Sequence, residues 1–190
     1  MIRIGIVGNI GSGKSFVAKS FGYPVFNADK EVSIIYKKDK KIFLKLKKNL
    51  PNFFLSFPVD KKDVGRAILS DNKNLGRIVK ILHAEVRKRM NSFLKKNKNK
   101  KLVILDIPLL LENKIHTKKD IIIFVEAKKS EILKRLNKRK NFNKKLFNKF
   151  KKIQLSSKYK MKKSHFVIKN DFTKKTINTN IKNILQKIKQ

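Results

Sequence analysis

Residues 8–15 read Gly-Asn-Ile-Gly-Ser-Gly-Lys-Ser and directly follow a short apolar run at residues 2–7. This spacing fits the phosphate-binding loop pattern GxxxxGK followed by Ser or Thr. Such a loop joins a buried strand to a helix, and its glycines let successive backbone N–H groups face one phosphate. The β-branched run before the loop and the helical spacing after it meet both requirements. The loop therefore predicts an α/β fold that binds a nucleoside triphosphate.

Each position of the loop has a chemical task. Lys14 would reach the β- and γ-phosphates, and the Ser15 hydroxyl would bind Mg²⁺. The helix that follows adds the positive end of its dipole. We therefore expect ATP to contact residues of the loop and of the first helical turn, namely Gly8, Gly11, Ser12, Gly13, Lys14, Ser15 and Phe16.

Apolar, strand-like runs alternate with longer helical patterns along the rest of the chain. Strands alternating with helices imply a mostly parallel sheet covered by helices on both faces. With 190 residues, the chain is expected to form a single domain. The predicted strands are 2–7, 25–27, 102–106, 121–125 and 166–168, and the predicted helical stretches are 30–48, 61–96, 128–164 and 177–188.

The chain is strongly basic, with 50 Lys and Arg against 13 Asp and Glu and a formal net charge of +37. Such a balance ordinarily suggests a nucleic-acid partner. Here the positive charges are spread along the chain, and arginine, which pairs bidentately with phosphate and guanine, is scarce. We therefore expect no specific nucleic-acid partner, while the charge would speed the capture of polyanionic nucleotides.

The chain has no cysteine, so disulfide and thiolate–metal chemistry are excluded, as is common in a reducing compartment. The apolar run at 2–7 is too short for a signal peptide. The later run at 121–125 is far too short to span a bilayer. We therefore expect a cytoplasmic protein without a membrane partner. We also expect a monomer or weak oligomer.

Two aspartates follow predicted strands. Asp29 lies just beyond the run 25–27, and the carboxyl ends of parallel strands line the ligand crevice of such folds. Asp29 would accept a proton from a substrate hydroxyl, or it caps the helix that starts near Lys30; both interpretations stay open. Asp106 ends the run 102–106, where an acid would hold Mg²⁺ directly or through water, or cap a turn.

Arg135 and Arg139 are four residues apart and so share one helix face. Planar, bidentate contact with phosphate is a role that lysine fills poorly, although a solvated basic face would show the same spacing.

His83 falls within an apolar helical pattern, which favours a structural or substrate-contacting histidine.

The residues at 117–120, Thr-Lys-Lys-Asp, resemble the guanine-specificity box of GTPases. That box should follow a strand, whereas this one precedes the predicted strand at 121–125. The position of the segment therefore argues against a GTPase.

Further segments carry distinctive patterns. The segment 106–112 reads Asp-Ile-Pro-Leu-Leu-Leu-Glu, 27–29 reads Asn-Ala-Asp, 81–83 reads Ile-Leu-His, and 167–170 reads Val-Ile-Lys-Asn. Together with the loop, these segments resemble the dephospho-CoA kinase family, in which the loop often reads GGIGSGKS. The likeness extends from residue 2 to about residue 170. Arg135 and Arg139 match the arginines of the family's lid.

The resemblance implies that ATP phosphorylates the ribose 3′-hydroxyl of dephospho-CoA, giving ADP and CoA in the last step of CoA synthesis. It implies that Lys14, Asp29 and Arg139 are the catalytic residues and that Asp29 is the base. It also implies that Arg135 and Arg139 contact the phosphates of ATP. It implies a core at 1–34, 101–127 and 161–190, a helical substrate lobe at 35–100 and a lid at 128–160. The acceptor would contact Asp29, His83, Lys61, Pro108 and Leu109.

The chain departs from the family pattern at several positions. Asn27 replaces the first Asp of Asp-Ala-Asp, Phe16 replaces a usual Thr, Ala84 replaces a usual Pro, and Lys61 replaces a common Arg. None of these changes removes the loop lysine, the metal-binding hydroxyl or the proposed base. A different nucleoside or nucleotide kinase is the alternative function, and a basic nucleic-acid-binding ATPase is a further one.

Overall fold

The computed structural model describes residues 1–139 and 142–189, and within them five parallel strands form one sheet. The strands are β1 (Ile2–Gly8), β2 (Val25–Asn27), β3 (Leu102–Asp106), β4 (Ile121–Glu126) and β5 (Phe166–Lys169). They lie in the order β2-β3-β1-β4-β5, so the connections from β1 to β2 and from β3 to β4 each pass one intervening strand. All neighbouring pairs are parallel, which confirms the predicted parallel α/β fold.

The central strands are buried on both faces, as their unbroken apolar sequences predict. Ile4, Ile104 and Ile123, one from each of the three central strands, are fully buried. They belong to a core that also includes Val17 of helix α1 (Lys14–Ser20). Helix α9 (Lys174–Lys189) contributes Ile177, Ile181 and Ile184 to the same core.

The chain divides into two compact units, each described by itself. The first contains the sheet and comprises residues 1–27, 97–143 and 149–190, as far as these are described. The second is helical and comprises Ala28–Lys96 together with Lys144–Asn148. The functional names given from the sequence, a substrate lobe at 35–100 and a lid at 128–160, stay predictions.

Helical stretches that the sequence pattern left continuous are divided at capping residues. Asp39 separates the first two helices of the second unit, and its carboxylate accepts a hydrogen bond from Ile42 N at 3.0 Å. Asp71 separates the next two and accepts from Lys73 N at 2.7 Å. An aspartate at a helix start satisfies a backbone N–H that has no partner within the helix. The helices are α2 (Ala28–Lys38), α3 (Lys40–Asn49), α4 (Lys61–Ser70) and α5 (Asn72–Lys96).

Arg89 of α5 joins three elements of the helical unit. Its guanidinium pairs with Glu31 of α2 at 3.3 Å, with Asp39 at 3.8 Å and with Glu85 at 3.0 Å. Three of the few acidic residues of the chain therefore hold α2, the start of α3 and α5 together.

The described residues of the predicted helical stretch at 128–164, which are 128–139 and 142–164, form three helices. They are α6 (Lys129–Asn137), α7 (Lys144–Lys152) and α8 (Ser157–Lys162). Ser156 caps α8 by accepting a hydrogen bond from Tyr159 N at 3.2 Å. In the part of the chain that the structure describes, no helix combines the length and apolar character needed to cross a membrane.

Candidate active site

The glycine-rich loop runs from the end of β1 to the start of α1. Gly11 and Gly13 have φ angles of 85° and 88°, in the left-handed region that residues other than glycine rarely adopt. A Cβ on Gly13 would also lie only 2.3 Å from Nδ2 of Asn170. Glycine at this position is therefore required both by its backbone conformation and by the close approach of a neighbour.

Lys14, the lysine of the loop, is only 9% exposed, and its ammonium group contacts the loop backbone. Lys14 Nζ donates to the carbonyl of Gly8 at 3.1 Å and to that of Asn9 at 2.9 Å. The Asn9 carbonyl also accepts from Ser12 N at 3.1 Å. The backbone thus holds the cationic group inside the loop, where the pattern predicts contact with phosphates.

The hydroxyl of Ser12 is buried, with the residue 1% exposed, and it has no hydrogen-bond partner among the described residues. Burying a polar group without a partner costs free energy, which a ligand atom can recover. The orphaned hydroxyl in this loop therefore fits a site that binds an oxygen-rich ligand.

Asn170, directly after β5, braces the loop from the end of the sheet. Its Nδ2 donates to the Ser12 carbonyl at 2.7 Å, and its backbone N–H donates to Glu126 O at 2.7 Å. Its Oδ1 accepts from Phe172 N at 2.8 Å. The sequence showed this asparagine only as part of a matching segment, and its bracing role was missed.

Asp106 is the last residue of β3 and is only 2% exposed. Because β3 runs parallel to β1, Asp106 lies at the same end of the sheet as the start of the loop. Its Oδ2 accepts a hydrogen bond of 2.5 Å from Nδ2 of Asn27, the residue opposite it in the neighbouring strand β2. On its other side Asp106 is in register with Ile6, two residues before the loop begins at Gly8. Asn27, which stands where the family pattern has Asp, thus orients Asp106, the predicted Mg²⁺ ligand.

The aromatic ring of Phe172 lies between Arg135 of α6 and Gly13 of the loop. The guanidinium carbon of Arg135 is 4.2 Å from the centre of the Phe172 ring, a distance typical of a cation–π contact. The same ring would be 3.2 Å from a Cβ on Gly13. Arg139, four residues on, is exposed.

The other residues predicted in the site fall into two groups. The structure places Ser15 and Phe16 at the exposed start of α1, and Pro108 and Leu109 half-buried in the turn after β3. These residues belong to the unit that contains the loop, whereas Asp29, Lys61 and His83 belong to the helical unit. The structure therefore brings together part of the predicted site within one unit.

Within the helical unit, Asp29 is exposed in the first turn of α2, and Lys61 is exposed as the first residue of α4. His83 is half-buried in α5. Burial, followed by the positive charge of Arg87, lowers the pKa of His83 below its usual value. This lowered pKa favours the neutral imidazole, which can both donate and accept a hydrogen bond.

A buried ion pair lies in the unit that contains the loop. Glu112 Oε1 is 2.8 Å from the ammonium of Lys160, a residue only 1% exposed, and it accepts from Leu155 N at 3.1 Å. Glu112 is the last residue of the segment 106–112, and the pair fixes α8 to the turn that follows β3. The sequence pattern did not reveal this partner.

Glu112→Gln is expected to destabilise the protein by about 3–5 kcal/mol, because it leaves the Lys160 ammonium buried without a counter-charge. Urea unfolding followed by circular dichroism measures the loss. The double change Glu112→Leu with Lys160→Met serves as control, because replacing a whole buried pair by apolar groups is often neutral. A loss below about 1 kcal/mol in Glu112→Gln would show that the pair contributes no more than a surface contact.

Comparison with known proteins identifies relatives over nearly the whole chain. The sequence model of the dephospho-CoA kinase family matches residues 2–176. The dephospho-CoA kinase of Wolbachia pipientis wMel is 35% identical over 190 residues, covering 97% of each chain.

Solved structures agree in fold. A crystal structure of a Thermus thermophilus protein has a TM-score of 0.79 at 27% identity and covers 98% of this chain and 97% of that one. The dephospho-CoA kinase of Campylobacter jejuni has a TM-score of 0.61 at 22% identity, covering 98% and 96%, which supports the fold. Because the family model matches residues 2–176 and a relative of 35% identity covers 97% of each chain, the chain belongs to the dephospho-CoA kinase family.

Proposed function

We propose that this chain transfers the γ-phosphoryl group of ATP to the ribose 3′-hydroxyl of dephospho-CoA, giving ADP and CoA. The observation that carries the proposal is the loop at 8–15, whose backbone surrounds the Lys14 ammonium and whose Ser12 hydroxyl is buried without a described partner. Phosphoryl transfer depends mainly on positioning and on neutralising charge, and a loop of this kind supplies both.

In the proposed complex the loop N–H groups bind the phosphates, and Lys14 donates to β- and γ-phosphate oxygens. Asn170 holds the loop in place by donating a hydrogen bond to the Ser12 carbonyl. Arg135, whose guanidinium carbon is 4.2 Å from the centre of the Phe172 ring, is proposed to contact an anionic ligand of the loop. Arg139 is proposed as the second arginine that neutralises the transferring group.

The chain's oxygen donors fit Mg²⁺. Ser15 and Asp106 supply a hydroxyl and a carboxylate, the ligand types that a hard cation prefers, and nucleotide oxygens and water would complete six-fold coordination. Among the described residues, no three or more His, Cys, Asp or Glu side chains group as a metal site. When bound, Mg²⁺ neutralises negative charge on the β- and γ-phosphates.

Asp29 is proposed to accept the proton of the 3′-hydroxyl as the oxygen attacks the γ-phosphorus. It follows Asn27 by two residues, and Asn27 contacts the proposed metal ligand Asp106. Its exposure in the first turn of α2 leaves the carboxylate accessible to substrate. Acceptor contacts are proposed for His83 and for three further residues, which are Lys61, Pro108 and Leu109.

A coupled assay of ADP release tests the function. We expect kcat/KM with dephospho-CoA to exceed that with nucleosides or nucleoside monophosphates by at least about a hundredfold, because a site built to hydrogen-bond one acceptor rejects others strongly. Preferred turnover of a nucleoside or nucleoside monophosphate would overturn the proposal and favour another kinase. RNA- or DNA-stimulated hydrolysis that weakens steeply with salt would favour the nucleic-acid-binding ATPase instead.

Two further expectations from the sequence stay proposals. The lack of cysteine supports a reducing, cytoplasmic location. A monomer or weak oligomer is proposed, and sedimentation at several protein concentrations would measure the assembly state directly.

A further inference from the structure

The second residue of the phosphate loop, Asn9, makes a two-point contact with helix α8. Asn9 Nδ2 donates to Ser157 Oγ at 2.8 Å, and Ser157 Oγ donates to Asn9 Oδ1 at 3.0 Å. One hydroxyl thus satisfies both ends of one amide. Where the family loop reads GGIGSGKS, this position is a glycine, which has no side chain to make such a contact. We call this pair the Asn9–Ser157 latch.

The backbone of Asn9 is central to the loop. Its carbonyl accepts hydrogen bonds from Lys14 Nζ at 2.9 Å and from Ser12 N at 3.1 Å. A contact that fixes the side chain of Asn9 also restrains the peptide that orients this carbonyl. The latch therefore acts on the placement of the Lys14 ammonium without touching it.

The helix on the other side of the latch is firmly anchored. Glu112 accepts from Leu155 N, two residues before Ser157, and pairs with Lys160, three residues after it. Lys160 is almost fully buried, so this anchor is shielded from solvent. Ser157 is therefore held between two fixed points and can act as a rigid partner for the loop.

We propose that Ser157 is a positioning residue that acts through Asn9 to pre-organise the phosphate loop for the nucleotide. This inference rests on the proposed function only in that the loop binds ATP. A loop already restrained loses less conformational freedom when its ligand binds, so restraint improves affinity. The latch touches none of the proposed reacting groups, so its loss is expected to weaken ATP binding and to leave kcat nearly unchanged.

The test compares Ser157→Ala, Asn9→Ala and the double variant by titration calorimetry with ATP and by steady-state kinetics. Each single variant is expected to raise the Kd and KM for ATP about three- to tenfold, with kcat within about twofold, as the loss of one or two hydrogen bonds implies. The double variant should bind ATP no more weakly than either single variant, since both remove one contact. Ser157→Thr, which keeps the hydroxyl, should bind like the unaltered protein.

Ser156→Ala is the matched control, because it removes the neighbouring serine and a helix cap but not the contact with Asn9. It is expected to leave the Kd for ATP unchanged. Unaltered ATP affinity in both single variants, an equal loss in Ser156→Ala, or additive losses in the double variant would each overturn the latch. Failure of the unaltered protein to bind ATP would overturn both proposals, whereas ATP binding without turnover of dephospho-CoA would overturn the proposed function alone.

Discussion

Lys14→Ala is expected to reduce kcat, and kcat/KM with it, by at least about 10²–10³-fold, the scale measured when one preorganised hydrogen-bond donor to a transition state is removed. The carbonyls of Gly8 and Asn9 already hold the ammonium within the loop. Alanine keeps the helical propensity of α1 but removes the only charge that the loop itself carries. Single-turnover kinetics at saturating ATP measures the loss in the chemical step.

The same change should alter stability by no more than about 1–2 kcal/mol, because it removes two hydrogen bonds to backbone carbonyls and one buried charge. Lys19→Ala is the control, since Lys19 is an exposed lysine in the last turn of the same helix. It should leave kcat/KM unchanged. Lys14→Ala activity within tenfold of the unaltered protein would contradict the assigned role of the loop lysine.

The parts of the fold that sequence predicts well are those whose signal is local. The apolar runs at 102–106 and 121–125 are buried strands because a parallel strand covered on both faces needs an unbroken apolar sequence. The phosphate loop is equally local, since all its required residues lie within eight positions. Both were predicted from the sequence, and the structure confirms the strands.

The contacts that organise the site are not local. Asn170 reaches Ser12 across 158 positions, and Ser157 reaches Asn9 across 148. In a chain with so many lysines, Lys160 carried no signal that marked it as the buried partner of Glu112. No periodicity encodes such pairings, because they depend on which loops the folded sheet brings together.

Helix ends show a third case, in which the signal is present but ambiguous. Asp71 interrupts a stretch whose apolar spacing continues on both sides, so periodicity alone predicted one helix. The side chain competes for backbone N–H groups and thereby favours a break. Asp29 poses the same ambiguity, because an aspartate in the first turn of a helix fits both a structural and a chemical role.

Asp29→Asn separates these two roles. If the carboxylate accepts the proton of the acceptor hydroxyl, the change is expected to lower kcat by about 10²–10⁴-fold, the usual contribution of general-base catalysis. The amide has nearly the same shape and keeps one oxygen, so ATP affinity should stay within about twofold. If the carboxylate only complements the helix dipole, stability falls by about 0.3–1 kcal/mol and kcat stays normal.

Asp63→Asn is a closely matched control, because Asp63 lies in the first turn of α4 as Asp29 lies in that of α2. It should show the small stability loss without the loss of kcat, apart from the surface contact with Arg66 at 2.6 Å. Steady-state kinetics with dephospho-CoA and urea unfolding of both variants give the two readouts. Equal kcat values for the two variants would remove Asp29 from the chemical step and leave it only the interaction with the helix dipole, whereas a kcat loss confined to Asp29→Asn supports its role as the base.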